Sequence, residues 1–413
     1  MRKLLAFVMA GGKGERLYPL TKDRAKPAVP FGGIYRIIDF TLSNCINSGI
    51  RRIHVLTQYK SISLDRHLKM GWNIFHSELG EYIDVIPAQQ RVGDTWYRGT
   101  ADAIYQNIYS IEAEKPDQVL ILAGDHIYKM DYSKLLDYHL AKSADLTVAL
   151  IKMPKEKSDQ LGVIQVDSDM RMIGLQEKPV HPITISGEPN LIYASMGIYV
   201  FNRIHLEEEL VRDAGQANSS HDFARDVIPA MLGRYRVYGY DFGSSVEEGL
   251  PYWRDVGTID AYWEANMDLI QVTPVFNLYD QKWPIRTYHE QYPPVKTVFA
   301  KEEEGRVGLA LDSLISNGCI ISGGRVERSI LSPGVRVNSF SLATDSVLME
   351  GVNVGRYAKV HRVIIDKDVR IPQGVEIGYD LEEDRKHFHV TESGIVVVAK
   401  GTTIPSQSAP VAV

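Results

Sequence analysis

Three glycines close to an arginine form the clearest anion-binding pattern of the chain. Gly11, Gly12 and Gly14 follow an apolar run at residues 4–9 that is short enough to be one buried strand, and Arg16 lies two residues after Gly14. Glycines let a backbone turn sharply and bring its N–H groups against an anion, while arginine offers a fixed fork of donors to a phosphate. The spacing matches neither G-x-x-x-x-G-K-[ST] nor G-x-G-x-x-G. The pattern predicts a phosphate loop, with a purely structural turn as the alternative.

A second cation lies near this loop in the sequence. Lys26 comes ten residues after Arg16, in a segment where Pro27 and Pro30 disfavour a helix. We therefore expect Lys26 to lie extended beside the same site.

Two aspartates lie where a divalent cation could be held. The apolar run at residues 118–123 ends in Gly124 and is followed by Asp125, and Asp255 lies in a turn before a predicted helix. A carboxylate just past a strand suits Mg²⁺, which prefers oxygen ligands and keeps waters and substrate phosphates as its other ligands. From the residues alone, a helix cap or turn aspartate is the more common interpretation.

A third candidate site is an acidic residue next to a basic one. Glu177 and Lys178 precede Pro179, which should restrict Lys178 to an extended conformation. A lysine there could hold a phosphate as a mobile point charge. The alternative is an ordinary salt bridge on the surface.

The candidate site residues lie in loops that are far apart in the sequence, so the fold must bring these loops together at one edge of a sheet. Residues 1–270 alternate short apolar strands with helical patterns, which predicts an α/β domain with a mostly parallel sheet covered by helices. Such sheets bind ligands outside the carboxyl ends of their strands. Strands are predicted at residues 53–57, 118–123, 146–151 and 197–201, and helices at 41–48, 64–70, 101–112, 133–142, 223–232 and 259–270, with Asp131 and Asp222 as N-caps.

The C-terminal part follows a different period. We predict a proline-interrupted linker over residues 271–310. Over residues 311–413 apolar residues recur every five or six positions, among them Ile320, Val326, Leu331 and Val337. This spacing predicts a hexapeptide-repeat parallel β-helix, because ordinary alternating strands would repeat every two residues. An irregular antiparallel sandwich is the alternative.

Composition excludes several classes of partner. The chain has 413 residues and a net charge of −6, so nucleic acid or a membrane surface held by bulk charge is disfavoured, and anions must be met by local basic clusters. The two cysteines, Cys45 and Cys319, form no C-x-x-C, which argues against a disulfide framework or a zinc site. No apolar run has the form of a signal peptide or the length of a membrane span, so we expect a cytoplasmic protein.

Three stretches carry a family resemblance: AGGKGERL at residues 10–17, RAKPAVPFGG at 24–33 and RIIDF at 36–40. Together they resemble the sugar-nucleotide pyrophosphorylases, and among them the bacterial glucose-1-phosphate adenylyltransferases. The resemblance implies a Rossmann-like nucleotidyltransferase domain followed by a left-handed β-helix that serves regulation and oligomerisation. It also implies transfer of AMP from ATP to α-D-glucose 1-phosphate, with Mg²⁺, giving pyrophosphate and the ADP-glucose used for glycogen or starch synthesis.

The resemblance also assigns roles to residues at matching positions. Asp125 and Asp255 would bind the Mg²⁺, while Arg16 and Lys26 would steady the departing phosphates. The ATP-binding positions are Ala10, Gly11, Gly12, Gly14, Gln89, Gly99 and Thr100, in motifs that also contain Gln90 and Arg91. The glucose 1-phosphate positions are Tyr97, Gly162, Glu177, Lys178, Ser195, Tyr199, Asp222, Phe223 and Trp253. Tyr199 and Phe223 could equally be core residues.

Regulation and assembly are further implications of the resemblance. A sugar phosphate would activate and AMP or phosphate would inhibit through a basic pocket between the domains, and the protein would be a homotetramer. Arg24, Arg36 and Arg362 match basic positions of that pocket. Asp23 stands where relatives activated by fructose 1,6-bisphosphate often carry lysine, and Pro30 where many carry histidine or an aromatic residue. Since a carboxylate repels a doubly phosphorylated ligand, we expect a singly phosphorylated effector or none.

Three other functions stay open at this point. A uridylyl-, thymidylyl- or guanylyltransferase would share the loop and the Glu-Lys-Pro motif. The β-helix would also fit a bifunctional acyltransferase, although its repeats show no evident inserted loop. A non-catalytic regulatory subunit of this architecture would have no need to keep both cations and both carboxylates.

Overall fold

The N-terminal domain is built on one nine-stranded sheet. The computed structural model describes residues 3–89, 95–245, 251–301, 303 and 305–405. Four neighbouring strands, from the middle of the sheet to one edge, are parallel, as predicted, and run in the spatial order Gln118–Ala123, Leu4–Met9, Arg52–Thr57 and Tyr82–Pro87. Alternate residues of Leu4–Met9 enter two apolar clusters on opposite faces of the sheet, because successive strand side chains point to opposite sides. The carboxyl ends of these strands therefore meet at one edge.

Antiparallel strands extend the sheet on the other side. Leu191–Asn202 pairs with Gln118–Ala123, Leu146–Pro154 and Gly162–Val166. Its pairing with Leu146–Pro154 shifts register between Ser195 and Tyr199, where Gly197 has a φ of +68°. The remaining strands of the sheet are Met172–Glu177, antiparallel to Gly162–Val166, and Val237–Asp241, parallel to Leu146–Pro154.

Helices cover both faces and largely match the predicted ones. Asp131 and Asp222 cap helices as predicted, accepting hydrogen bonds from Ser133 N and from Ala224 N and Arg225 N. The single helix predicted at 101–112 is wrong, because Asn107 interrupts it and donates its side-chain amide to Ala103 O. The α-helices are Ile37–Asn47, Ile62–Gly71, Thr100–Tyr105, Ile108–Glu114, Tyr132–Ala141, Arg203–Ala214, Ile228–Met231, Ile259–Asp268 and Leu381–His387, with a π-helical turn at Phe223–Val227.

Short segments complete the domain. Two-strand ladders join Pro30–Phe31 to Tyr35–Arg36 and His126–Tyr128 to Trp253–Asp255. Turns of 3₁₀-helix lie at Glu15–Leu17, Lys26–Ala28, Ser77–Leu79, Lys155–Gln160 and Gly243–Ser245. Among the described residues, no helix is long and apolar enough to cross a membrane.

The C-terminal domain is the predicted left-handed parallel β-helix. One coil takes 17 residues where Arg325, Leu342, Lys359 and Glu376 pair in succession. The first sheet contains Lys296–Val298, Ile320–Ser322, Arg336–Val337, Asn353–Val354 and Arg370–Ile371; the second Leu309–Leu311, Arg325–Glu327, Leu342–Thr344, Lys359–His361 and Glu376–Ile377; the third Leu314–Ile315, Ile330–Leu331, Val347–Leu348, Val363–Ile365 and Val396–Val398, with His389–Val390 antiparallel at its end. A small hairpin joins Ala300–Lys301 to Arg306–Val307.

Lys296–Val298 is the first strand of the β-helix, and it lies inside residues 271–310, for which we predicted a linker. The third sheet packs on the N-terminal domain: Ile330, Val347 and Ile364 share an apolar cluster with Phe31 and Phe40. A buried ion pair crosses the same contact, with Arg24 Nη2 2.8 Å from Asp366 Oδ1. The two domains are therefore joined by a packed interface as well as by the chain.

Candidate active site

A cavity of about 550 Å³ lies at the carboxyl edge of the parallel strands. Its walls come from loops that follow those strands and from the start of helix Thr100–Tyr105, in agreement with the general placement of ligands in such sheets. Ten of the predicted site residues line it: Gly11, Gly12, Tyr97, Gly99, Thr100, Asp125, Glu177, Tyr199, Asp222 and Phe223.

The glycine-rich loop wraps around the stem of Lys26. Gly14 has a φ of +65°, and a Cβ built on it would lie 3.0 Å from Lys26 Cβ and 3.0 Å from Thr21 Cγ2. Glycine is thus required here for both conformation and space. Arg16 lies beside the turn after Asp255, since a Cβ on Gly257 would be 3.1 Å from Arg16 Nη2.

Lys26 connects the two predicted metal ligands. Its Nζ lies 2.9 Å from Asp125 Oδ2 and 2.8 Å from Asp255 Oδ1. The aspartates are neighbours because strand His126–Tyr128 pairs with Trp253–Asp255, placing Asp255 opposite His126. Lys26 is not extended as predicted: it begins a turn of 3₁₀-helix.

Charge pairing controls the ionisation of this cluster. Burial by itself lowers the pKa of Lys26, but the carboxylates of Asp125 and Asp255 outweigh it and raise that pKa above its ordinary value. Burial likewise favours a higher pKa for Asp125, yet the Lys26 ammonium holds that pKa at about 2. The lysine therefore stays a cation and Asp125 an anion at neutral pH.

The cluster also fits a divalent cation. Ligand atoms of Asp125, His126 and Asp255 all lie within 4.8 Å of one another. Two carboxylates supply the oxygen donors that Mg²⁺ prefers. His126 Nδ1 is buried with no hydrogen-bond partner in the described part of the chain, and its ring packs edge-on against Trp253 at 4.9 Å. His126 was not predicted as a site residue, although it follows Asp125 directly.

Glu177 lines the same cavity as Asp125, and Lys178 follows it in the chain. Glu177 ends strand Met172–Glu177, and a Cβ on Gly162 would lie 3.2 Å from Glu177 Oε2, so Gly162 leaves room for this carboxylate. The Lys178 side chain is 44% exposed, and its Nζ lies 3.8 Å from Glu177 Oε1. The predicted extended conformation of Lys178 is wrong: its φ is +49°, a region that non-glycine residues seldom adopt.

An aromatic wall separates this carboxylate from the protein core. Tyr199 and Phe223 are buried, with ring centroids 5.7 Å apart. Burial raises the pKa of Tyr199 despite its hydrogen bond with Ser195, so the hydroxyl stays protonated. Both residues belong to an apolar cluster and also line the cavity. Tyr199 and Phe223 are therefore core residues and cavity-lining residues at the same time.

Thr100 joins the two halves of the predicted substrate site. Its hydroxyl donates to Asp222 Oδ2 at 3.0 Å and accepts from Phe223 N at 3.0 Å. Tyr97 is held by Asn107, whose amide donates to the Tyr97 hydroxyl at 2.9 Å. Gln89 lies exposed after strand Tyr82–Pro87, and the predicted Gln90 and Arg91 fall outside the described residues. Ala10 is buried and donates its N–H to Leu56 O.

Comparisons with known proteins match both parts of the chain. A model of the nucleotidyl transferase family matches residues 5–272, and one of the GlmU-like C-terminal hexapeptide region matches residues 293–398. A glucose-1-phosphate adenylyltransferase of Koribacter versatilis is 54% identical over 97% of this chain and 96% of its own length. Those of Anaeromyxobacter and Rhodopirellula baltica are each 53% identical over 98% of this chain, covering 100% and 92% of their own lengths.

This chain belongs to the glucose-1-phosphate adenylyltransferase family. The resemblance seen in its first 40 residues is confirmed over nearly the whole length. Nucleotidyltransferases of this family generally use a divalent metal, and the donor set of Asp125 and Asp255 is suited to one.

The three arginines predicted to bind effectors lie at different places in the domain interface of this family member. Arg24 is buried and bonded to both carboxylate oxygens of Asp366. Arg36 donates to Ala28 O and to Ser63, and it lines a cavity of about 120 Å³ between the domains. Arg362 lies over the ring of Trp263, with its Cζ 4.8 Å from the ring centroid.

Sequence reasoning missed a buried aspartate that ties three segments together. Asp39, in the RIIDF stretch, is fully buried. It accepts hydrogen bonds from the Trp72 indole at 2.9 Å and the Thr287 hydroxyl at 2.6 Å, and it contacts the His67 imidazole at 2.6 Å. Its position in an apolar run gave no signal beyond the family motif, because its partners lie far away in the sequence.

Proposed function

We propose that this protein transfers AMP from ATP to α-D-glucose 1-phosphate, giving ADP-glucose and pyrophosphate. The observation that carries the proposal is the arrangement of charge in one cavity. Asp125 lines the cavity and pairs with Lys26, which also pairs with Asp255, and Glu177 lines the same cavity with Lys178 next to it in the chain. The cluster around Lys26 can hold a triphosphate, and Lys178 can hold a sugar phosphate.

The reaction needs no covalent enzyme intermediate. A phosphate oxygen of glucose 1-phosphate attacks the α-phosphorus in line, and the bond from that phosphorus to the pyrophosphate oxygen breaks as the new P–O bond forms. Because the nucleophile is already anionic, the protein contributes positioning and charge stabilisation. Arg16 and Lys26 would hold the departing β- and γ-phosphates, and Lys178 would hold the sugar phosphate.

Asp125 and Asp255 would hold the metal ion, which we propose to be Mg²⁺. A bound Mg²⁺ would supply positive charge against the triphosphate and the pyrophosphate leaving group. Lys26, placed between the same carboxylates, fixes their orientation. Dialysis against EDTA should abolish pyrophosphate release, and Mg²⁺ should restore it; full activity without a divalent ion would contradict the assignment.

On the sugar side, Glu177 and Asp222 would accept hydrogen bonds from glucose hydroxyls, while Tyr199 and Phe223 cover the ring. Ser195, Gly162, Tyr97 and Trp253 complete the predicted sugar site. This proposal is tested by replacing glucose 1-phosphate with galactose 1-phosphate and mannose 1-phosphate in the pyrophosphate-release assay. We expect glucose 1-phosphate to give the highest kcat/KM.

We also propose that the protein is regulated and assembles as a homotetramer. A sugar-phosphate activator and AMP or phosphate as inhibitor would act at the interface between the domains. Since Arg24 is committed to Asp366 and Asp23 is an exposed carboxylate, fructose 1,6-bisphosphate should activate weakly, and Asp23→Lys should strengthen its effect. Strong activation of the unmodified protein at micromolar bisphosphate would refute the effector proposal, and a monomer in light scattering would refute the assembly.

A further inference from the structure

A loop and a helix that are far apart in the sequence meet beside the cavity. The carbonyl oxygen of His221 accepts hydrogen bonds from Ala101 N at 2.8 Å and Asp102 N at 3.3 Å, in the first turn of helix Thr100–Tyr105. A Cβ on Gly99 would lie only 2.3 Å from that same oxygen. Glycine is therefore needed at position 99 because the protein's own backbone approaches there.

His221 is held in place by a closed set of hydrogen bonds. Its Nδ1 lies 2.8 Å from Asp213 Oδ2, and both side chains are buried. The Ser219 hydroxyl donates to Asp213 Oδ1 at 2.7 Å and accepts from His221 N at 2.9 Å. His221 has a φ of +55°, which a non-glycine residue keeps only where its surroundings enforce it.

The residues on either side of this contact face the two proposed substrates. Thr100 begins the helix on the nucleotide side, while Asp222 and Phe223 follow His221 on the sugar side. The Thr100 hydroxyl bonds to both Asp222 and Phe223. A displacement of His221 would therefore shift both groups of residues relative to each other.

We propose that His221 and Asp213 are positioning residues that set the alignment of the sugar phosphate against the α-phosphate of ATP. The inference rests on the proposed function. Neither residue is among the described residues that line the cavity, so we place neither in contact with substrate. In-line attack depends on alignment, and a misplacement of about 1 Å can cost on the order of 100-fold in rate. Their loss should therefore lower kcat more than it weakens binding of either substrate.

The test compares His221→Ala, His221→Asn and a control in the purified full-length protein. His221→Ala should lower kcat at least ~10-fold, while KM for ATP and for glucose 1-phosphate changes less than ~3-fold. His221→Asn keeps an N–H donor for Asp213, and asparagine tolerates the left-handed conformation. It should therefore regain most of the lost kcat, which a change in fold stability alone would not explain.

The matched control is His54→Ala. It removes another buried imidazole that contacts a carboxylate, with His54 Nε2 3.1 Å from Glu114 Oε1. Neither His54 nor Glu114 is among the described residues that line the cavity. His54→Ala should lower Tm with kcat changed less than ~2-fold. An equal kcat loss in His54→Ala, or an unchanged kcat in folded His221→Ala, would overturn the inference.

Direct binding separates positioning from substrate contact. The Kd of α,β-methylene-ATP and the Kd of glucose 1-phosphate, each measured alone, should stay within ~3-fold in His221→Ala. A parallel loss of affinity and kcat would overturn the inference. If His221→Ala does not fold, Ser219→Ala should lower kcat by ~3-fold or more, and an unchanged kcat would overturn it. Absence of turnover by the unmodified protein with every nucleotide would instead refute the proposed function.

Discussion

The β-helix and the catalytic domain differ in how their buried residues are arranged. In the β-helix, Val326, Ala343, Val360 and Ile377 occupy equivalent inward positions of successive coils, and each is 1% exposed or less. In the catalytic domain, apolar clusters cover both faces of the sheet, and single buried charged residues such as Lys26 and Asp39 have individual partners. Many equivalent repeats can share the stabilisation of a fold, whereas an active site depends on individual contacts that occur only once in the chain.

The corners of the β-helix show the same contrast. Gly323, Phe340, Tyr357 and Gly374 follow one another at 17-residue intervals and all have a positive φ. Here the coil imposes the conformation, and the residue type varies. In the catalytic domain, the positive φ of Gly14, Lys178 and His221 occurs at isolated loops around one cavity.

The largest expected effect comes from breaking the ion pair that joins the two regions. Arg24→Ala would leave Asp366 buried without its partner, since the two side chains are 6% and 3% exposed. We expect a loss of about 3–5 kcal/mol in the free energy of unfolding, the usual result of removing one member of a buried pair. Denaturant unfolding measures it.

The companion variant Arg24→Met with Asp366→Leu removes both charges and should recover most of that stability. If Arg24→Ala unfolds at the same denaturant concentration as the unmodified protein, the two domains are not held by this contact.

The next effect should appear in chemistry with little change in stability. Asp125→Asn removes one charge from the cluster around Lys26, so turnover should fall by ~100-fold or more, as it does when a single charge-stabilising group is lost. Pyrophosphate release at saturating Mg²⁺ is the measurement. Activity near that of the unmodified protein would mean that Asp125 does not hold the metal.

A smaller effect is expected at the proposed contact between Lys178 and the sugar phosphate. Lys178→Ala should raise KM for glucose 1-phosphate by ~10-fold or more while KM for ATP stays constant, because a hydrogen bond to a charged group contributes about 1.5–3 kcal/mol. Lys178→Arg, which keeps the charge, is the control and should lose less. A change confined to the ATP constant would show that Lys178 serves the nucleotide.

The smallest effect should come from a single corner of the β-helix. Gly374 has a φ of +75° and nothing within 4 Å of a built Cβ, so Gly374→Ala tests conformation alone. It should cost about 1–2 kcal/mol of stability with kcat unchanged. Gly215→Ala is the matched control, because Gly215 has a φ of −79° and should be neutral. Equal thermal midpoints for the two variants would contradict the account of the corners.

The repeated region was the easier one to predict from sequence. Apolar residues such as Val326 and Val337 belong to a series that recurs every five or six positions, and this period identifies the β-helix without knowledge of distant contacts. The start of that region was harder, because Lys296–Val298 joins the first sheet from a segment interrupted by prolines.

The site was predictable only where its residues lie in local motifs. Residues 118–123 and Asp125 could be identified from an apolar run and the carboxylate that follows it. The pairing of Asp125 with Asp255 came from the family resemblance, and its physical basis is the ladder between His126–Tyr128 and Trp253–Asp255. No local pattern indicates that Gly99 faces His221, since that contact depends on the folded chain.

The most direct test of the central claim is pyrophosphate release with glucose 1-phosphate and each of ATP, UTP, dTTP and GTP, at saturating Mg²⁺. The account predicts the highest kcat/KM with ATP and ADP-glucose as the product identified by mass spectrometry. Preference for another nucleotide would place the protein among the other sugar-nucleotide pyrophosphorylases, and no turnover with any of the four would contradict the proposed function.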